Sequence, residues 1–192
     1  AEALSLAPRD LVGRGMQRFR EGDVGGSIED FDEFIQAAPR QKPFLWQRGL
    51  SLYYADRFED AADQFRTDVA VNPNDTEEAV WTYLSESQID GVDQARDNML
   101  QVGRDSRRVM RKVYEVYQEK AELSELEELA ETATGGEQFY SLLYLALWHE
   151  AHKDPNLARQ YMSAAVSTPY GRRSGDYMAA LAQVHMKTRQ WS

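Results

Sequence analysis

His149-Glu150-Ala151-His152 invites a metal reading, because two imidazoles three residues apart can share one face of a helix. The helical zinc-protease pattern needs His-Glu-x-x-His, with its ligands four apart and the Glu between them. Here the spacing is one short, and the remaining histidine, His185, is distant. His152 instead suits a helix end, where an imidazole favours the dipole. No Gly-x-Ser-x-Gly turn is present, and the chain has no cysteine. Gly13-Arg14-Gly15 continues to Arg18 where a dinucleotide fingerprint needs Gly, and no strand precedes it. Gly25-Gly26-Ser27 lacks the Lys of a phosphate-binding loop. No catalytic residue, metal site or cofactor is therefore expected, and a metal-dependent enzyme using His149/His152 is the least favoured reading.

Chemistry of docking is better represented. Arg104, Arg107, Arg108 and Arg111 recur at i, i+3, i+4 and i+7, which on a helix makes one basic stripe with Lys112 beside it. Such a stripe could dock an acidic loop or an anionic head group, although any exposed helix also needs a polar side. The chain around it is acidic. Lys plus Arg is 22 against 32 Asp plus Glu, a net charge of -10 over 192 residues, which argues against a general nucleic-acid binder. No apolar run approaches the ~20 residues of a membrane span, so membrane association would be peripheral and through a partner.

The elements that must carry these residues follow from self-similarity. An offset of 34 places Gly15 on Gly49, Phe19 on Tyr53, Ser27 on Ala61, Phe31 on Phe65 and Pro39 on Pro73. A second offset places Ala61 on Ala95 and Phe65 on Met99. Gly costs ~1 kcal/mol relative to Ala inside a helix, so Gly15 and Gly49 are expected where a neighbouring backbone comes close, with Gly49 meeting Ala61 across adjoining helices. Pro39 and Pro73 end second helices, and Asp75 or Thr76 can cap the next. Val109, Met110, Val113, Val116 and Tyr117 share one helical face, as do Leu123, Leu126, Leu129 and Ala130. Residues 139–148 are apolar all round, as a helix sandwiched between neighbours would be, and no segment alternates convincingly enough to be a strand.

These residues resemble the tetratricopeptide repeat (TPR) family, most closely from Trp46-Gln47-Arg48-Gly49 through Ala61, Phe65 and Asn72-Pro73. Repeats would lie near 8–41, 42–75, 76–103 and 136–167, with a divergent pair at 104–134 and a capping helix at 174–187. The resemblance implies an all-α, right-handed α-solenoid of about five helical hairpins plus that C-terminal cap, in one domain. The first helix of each pair would line a concave groove. Carried over residue by residue, the groove takes Arg9, Val12, Met16, Phe19 and Arg20, then Trp46, Leu50, Tyr53 and Tyr54, then Glu77, Val80, Leu84, Ser87 and Gln88. The Lys, Asn and Arg of the family's carboxylate clamp are mostly replaced by apolar residues here, which argues against recognition of a chaperone C-terminal tail.

The resemblance implies a non-catalytic protein–protein interaction scaffold, an assembly factor or accessory subunit of a larger complex, with a photosystem as the specific case. A self-associating structural protein is the alternative, through exposed Tyr170, Tyr177 and Trp191. The chain opens Ala1-Glu2-Ala3 without Met, as a mature chain does after a targeting peptide is removed, whereas cytosolic Met cleavage gives the same start. With the acidic charge and missing cysteine, the opening is similar to processed TPR proteins of a thylakoid lumen or a periplasm; a cytoplasmic location is the alternative.

Overall fold

A computed structural model describes residues 7–191, so Ala1-Glu2-Ala3, which carries the processing expectation, lies outside the described residues. Among the described residues every regular element is helical, with no strand, and no helix is long and apolar enough to cross a membrane.

Helix α1 (Pro8–Glu21) starts on a proline, whose missing N–H has no partner to lose in a first turn. It stops at Gly22, in the left-handed region at φ 89°. Asp23 Oδ1 then accepts the Gly26 N–H at 2.9 Å and opens α2 (Val24–Ala37). Two contacts join this hairpin. A Cβ on Gly15 would sit 2.7 Å from the Phe31 ring, and Arg14 forks onto Asp30 at 2.8 and 2.7 Å. The ring on glycine recurs 34 residues later in α3 (Trp46–Tyr54) and α4 (Phe58–Val71), whereas the fork gives way to an arginine divided between the facing helix and Asp32 of α2, the latter at 2.7 Å. A Cβ on Gly49 would sit 2.6 Å from Phe65 Cζ, and Arg48 donates to Gln64 Oε1 at 3.0 Å.

This corrects the expected role of the glycines. The three atoms nearest a Cβ at Gly49 all belong to the Phe65 ring, not to Ala61. Glycine is required because a ring lies flat against the helix backbone, filling the space that a side chain would take. Ala61 and Ser27 are fully buried. Ser27 stands in place of an alanine because its hydroxyl donates to Val24 O at 2.6 Å and pairs with Ser51 Oγ at 2.8 Å.

Between the hairpins, Pro39 and Pro43 shape a 3₁₀ helix (Pro39–Phe44), which periodicity does not reveal. Gln64 ties it to α4 by donating to Lys42 O at 2.8 Å. Asp75 Oδ1 accepts the N–H groups of Glu77 and Glu78 at 3.0 and 3.2 Å and starts α5 (Thr76–Asp90). Most of α5 is buried, polar residues included. Thr82 and Ser85 return their hydroxyls to carbonyls four residues back, at 2.9 and 2.8 Å, which makes that burial tolerable.

After α6 (Val92–Asp97) the chain runs irregularly to α7 (Arg108–Tyr117), α8 (Leu123–Thr132), α9 (Gly135–Ala151) and α10 (Pro155–Ser167). Val109, Met110, Val113, Val116 and Tyr117 are buried on one face of α7, as their spacing predicts. Helix α9 packs against α7, α8 and α10, which explains why its middle is apolar on every side. A short α11 (Pro169–Arg173) leads to α12 (Tyr177–Thr188).

Helix α12 does more than cover the last hairpin. It packs on α10 and α11 and also on α1, at the other end of the described chain. The Tyr177 ring stacks on Phe19 at 5.3 Å between centroids and meets Trp46 edge-on at 5.4 Å. Arg20 donates to Gly175 O at 3.3 Å, and Lys187 donates to Glu21 O at 3.1 Å. Tyr177, Met178, Leu181, Ala182 and Val184 are all buried, and a helix this apolar needs walls on more than one side.

Candidate functional site

A cavity of about 340 Å³ lies where α3, α5 and α9 meet the start of α12. Trp46 and Leu50 come from α3, Glu77, Glu78 and Trp81 from α5, Tyr140 from α9, and Asp176 and Met178 from the start of α12. Phe65, Asp75 and Arg107 complete the lining. Position on α5 follows from helical spacing, since Glu78 and Trp81 are three apart and share a face. The cap at Asp75 fixes where that face begins.

The walls are apolar and aromatic, but the polar groups among them are mostly acidic. Arg107 is the guanidinium at the cavity, and it is committed. It donates to Glu77 Oε2 at 2.6 Å and to Asp105 at 2.9 and 3.1 Å. Burial opposes the charge on Asp105, but Arg107 outweighs it and holds the carboxyl below its ordinary range. Glu77 takes the Tyr144 hydroxyl on its other oxygen, and Trp81 Nε1–H donates to the same Tyr144 oxygen at 3.1 Å. Asp176 is saturated by Tyr140 and Tyr170 hydroxyls, each at 2.7 Å, and by the Met178 N–H at 2.9 Å.

Glu78 differs. It is 8% exposed, and its Oε2 has no hydrogen-bond partner. Burial first, then the charges of Asp75, Asp68 and Glu77, push its carboxyl up to about 8. Asp68, behind it, is likewise raised by burial to about 7, against the pull of Gln64, which donates to its Oδ1 at 2.7 Å.

A second buried constellation lies at the other end of α12. His185 is fully buried, with Nδ1 2.8 Å from the Tyr54 hydroxyl and Nε2 3.1 Å from Glu150 Oε2. Arg189 donates to Glu150 Oε1 at 2.5 Å. Burial disfavours the Glu150 charge, but His185 and Arg189 outweigh it and hold the carboxyl at about 2. Burial lowers the His185 imidazole, keeping it neutral against the pull of Glu150.

The residues read from the sequence are distributed unevenly over these features. Trp46 and Leu50 line the cavity. Tyr53 and Tyr54 are buried behind them, and Tyr54 is bonded to His185 on α12. Phe19, Val80, Leu84 and Ser87 are buried as well. Met16 is partly buried, with Gln47 Nε2 3.8 Å from its sulfur, and Arg20 lies over the Tyr177 ring at 5.2 Å. Arg9, 90% exposed at its side chain, lies 3.8 Å from Asp10.

The arginine stripe is not a helical stripe. Helix α7 begins at Arg108, so Arg104 and Arg107 precede it on irregular backbone. Asp105 causes the break by accepting the Arg107 N–H at 2.8 Å, and the Arg111 guanidinium then bonds the carbonyls of Asp105 and Ser106. Arg108 forks onto Glu137 at 3.0 and 2.8 Å. Tyr177, Tyr170 and Trp191, expected on an exposed self-association face, pack instead against the interior: Tyr177 of α12 on Phe19, Tyr170 of α11 on Phe139, and Trp191, past the end of α12, on His185.

The histidine pair is divided by packing: His149 stacks on Tyr161, and His152 stacks on Trp148 while bonding its carbonyl at 2.7 Å. Among the described residues, no three His, Asp or Glu side chains are grouped to hold a metal ion. Sequence reasoning missed Glu78, Trp81, Tyr140 and Asp176. Only the Glu78–Trp81 spacing was available to reveal any of them, since α9 and α12 reach the cavity through tertiary packing. No family model matches the chain.

Proposed function

We propose that this chain is a non-catalytic binding protein, a TPR-like right-handed helical superhelix that presents a preformed surface to a partner protein. The observation that carries this reading is the second use, 34 residues on, of one hairpin geometry: a ring laid on glycine and an arginine reaching the facing helix, at 15/31 with 14/30 and at 49/65 with 48/64. Stacked hairpins of this kind make a continuous inner face suited to docking a helix or extended segment. Helix α12 occupies part of that face in this chain, resting on Phe19 and Trp46. On the resemblance, the partner belongs to a larger assembly, a membrane complex such as a photosystem in a thylakoid lumen being the specific case.

The test is capture from the native source with the purified chain, followed by reconstitution of the captured protein at defined concentrations. A 1:1 complex by light scattering, weakened at least tenfold by Trp46→Ala in a chain of unchanged helicity, is the expected result. A reconstituted complex indifferent to Trp46 and Arg20 would move docking off the inner face. Turnover of a small molecule by the pure chain would end the non-catalytic reading.

A further inference from the structure

We propose that Arg104 and Arg111 form a docking site for an acidic segment of a partner protein, taking one of its carboxylates between them. The proposal rests on the reading that this chain binds a protein, and it places a second contact outside the inner face.

Pairing divides the four arginines of this stretch. Arg107 is held by Glu77 and Asp105, and Arg108 by Glu137. Arg104 and Arg111 make no ion pair among the described residues, and Arg111 bonds only backbone carbonyls. Acids are not scarce, since 32 Asp and Glu face 22 Lys and Arg. The near ones are taken: Asp105 by Arg107 at 2.9 Å, and Glu115 by Lys112 at 3.1 Å. A shallow cavity of about 270 Å³, between the start of α5 and the first turns of α7, is lined by Arg104, Arg111, Tyr114 and Glu115. Two positive charges therefore border it without a countercharge of their own.

Both arginines are set in place before any ligand arrives. Tyr114 holds the segment that leads to Arg104, donating to Leu100 O at 2.8 Å and accepting the Val102 N–H at 3.3 Å. The Gly103 N–H donates to Pro73 O at 2.8 Å, and Asp105 is buried. The backbone is thus fixed on either side of Arg104. Arg111 Nη1 donates to Asp105 O and Ser106 O at 2.8 and 2.9 Å. A guanidinium carries five N–H groups, and those two bonds use both on Nη1. The Nε and Nη2 edge remains, a fork whose parallel N–H groups match the two oxygens of a carboxylate. A fork ordered in advance lowers the entropy cost of binding.

Charge sets the occupant. A nucleic acid or an anionic membrane would extend across the rest of a chain of net charge -10 and be repelled by it. A short acidic segment meets the two arginines alone.

The test titrates the full chain at low salt with acetyl-Gly-Glu-Glu-Gly-amide, its Gln counterpart and inorganic phosphate by calorimetry, and with phosphatidylserine vesicles by sedimentation. Saturable binding of the glutamate peptide is expected, at least about fivefold tighter than the glutamine peptide and weakened by added salt. Arg104→Gln, which breaks no ion pair of the free chain, should weaken it about fivefold. Arg111→Lys, which keeps the charge but not the fork, should weaken it as well, while Arg159→Gln on α10 leaves it unchanged. No saturation by the glutamate peptide, equal affinity for the two peptides, or an equal loss in Arg159→Gln would overturn the proposal. So would full affinity in both Arg104→Gln and Arg111→Lys, or binding confined to phosphate or vesicles. The titration needs no captured partner, so its failure leaves the Trp46 test of the inner face standing.

Discussion

Glu78 and Glu150 are two buried glutamates attended by opposite ends of the same helix, and they meet opposite treatment. At the C-terminal end of α12, Glu150 receives Arg189 at 2.5 Å and His185 at 3.1 Å and keeps its charge. At the N-terminal end, Glu78 lines the cavity that Asp176 also borders, and the charges acting on it are those of Asp75, Asp68 and Glu77, all acids. The difference separates two uses of a buried carboxylate. Where the charge is matched within the chain, the pair fixes α12 to α9 and specifies how the helix lies. Where no cation meets it, the carboxyl keeps its proton instead of its charge, and the cost of burial appears as a titration moved up to about 8.

The comparison breaks most easily at Glu150. Replacing Arg189 with Met should cost about 3 kcal/mol, because a buried carboxylate loses its strong partner; urea denaturation measures this, and a loss below about 0.5 kcal/mol would show that the pair does not fix the helix. The mirror change, Glu78→Gln, should stabilise at alkaline pH by about 2 kcal/mol and do little near pH 4.5. Between the ordinary glutamate value and about 8, the folded chain retains a proton that the unfolded chain has released, so stability falls as pH rises across that window. Thermal melts of both forms from pH 4.5 to 9 should converge at the acid end and diverge at the other.

Glu150 titrates in the opposite sense. Its folded carboxyl stays ionised down to about 2, so its contribution is complete above 4.5 and drains away as pH falls between those values. His185, lowered by burial, adds a loss that begins as pH drops through the ordinary histidine value, since the unfolded chain then takes up a proton that the folded one refuses. A His185→Gln variant should flatten the upper part of that acid limb and shrink the Glu150 part as well, leaving what Arg189 alone sustains, which melts between pH 3 and 7 would resolve.

How much of this could be read in advance depended on distance along the chain. The faces of α7 and α9 were legible because their apolar residues repeat with the helix, and the Gly15/Phe31 and Gly49/Phe65 pairs were legible as a repeat, though not as ring on glycine. Helix α5 was harder, because Glu78, Thr82, Ser85 and Glu86 look like a solvent face until the surrounding helices are in place. The four arginines misled because spacing alone does not reveal that Asp105 captures a backbone N–H and interrupts the helix. The cavity needed α3, α5, α9 and α12 together, and no local pattern announces a meeting of four such separated segments.

The placement of α12 also sets an order of events in folding. Its ties to the first hairpin span 155 residues from Arg20 to Gly175 and 166 from Glu21 to Lys187. Neighbouring hairpins can form as the chain emerges from the ribosome, but Phe19 and Trp46 must wait for Tyr177 to be synthesised before they are covered. A nascent chain stalled short of that point would present an aromatic surface that chaperones, or other unfinished copies, could recognise.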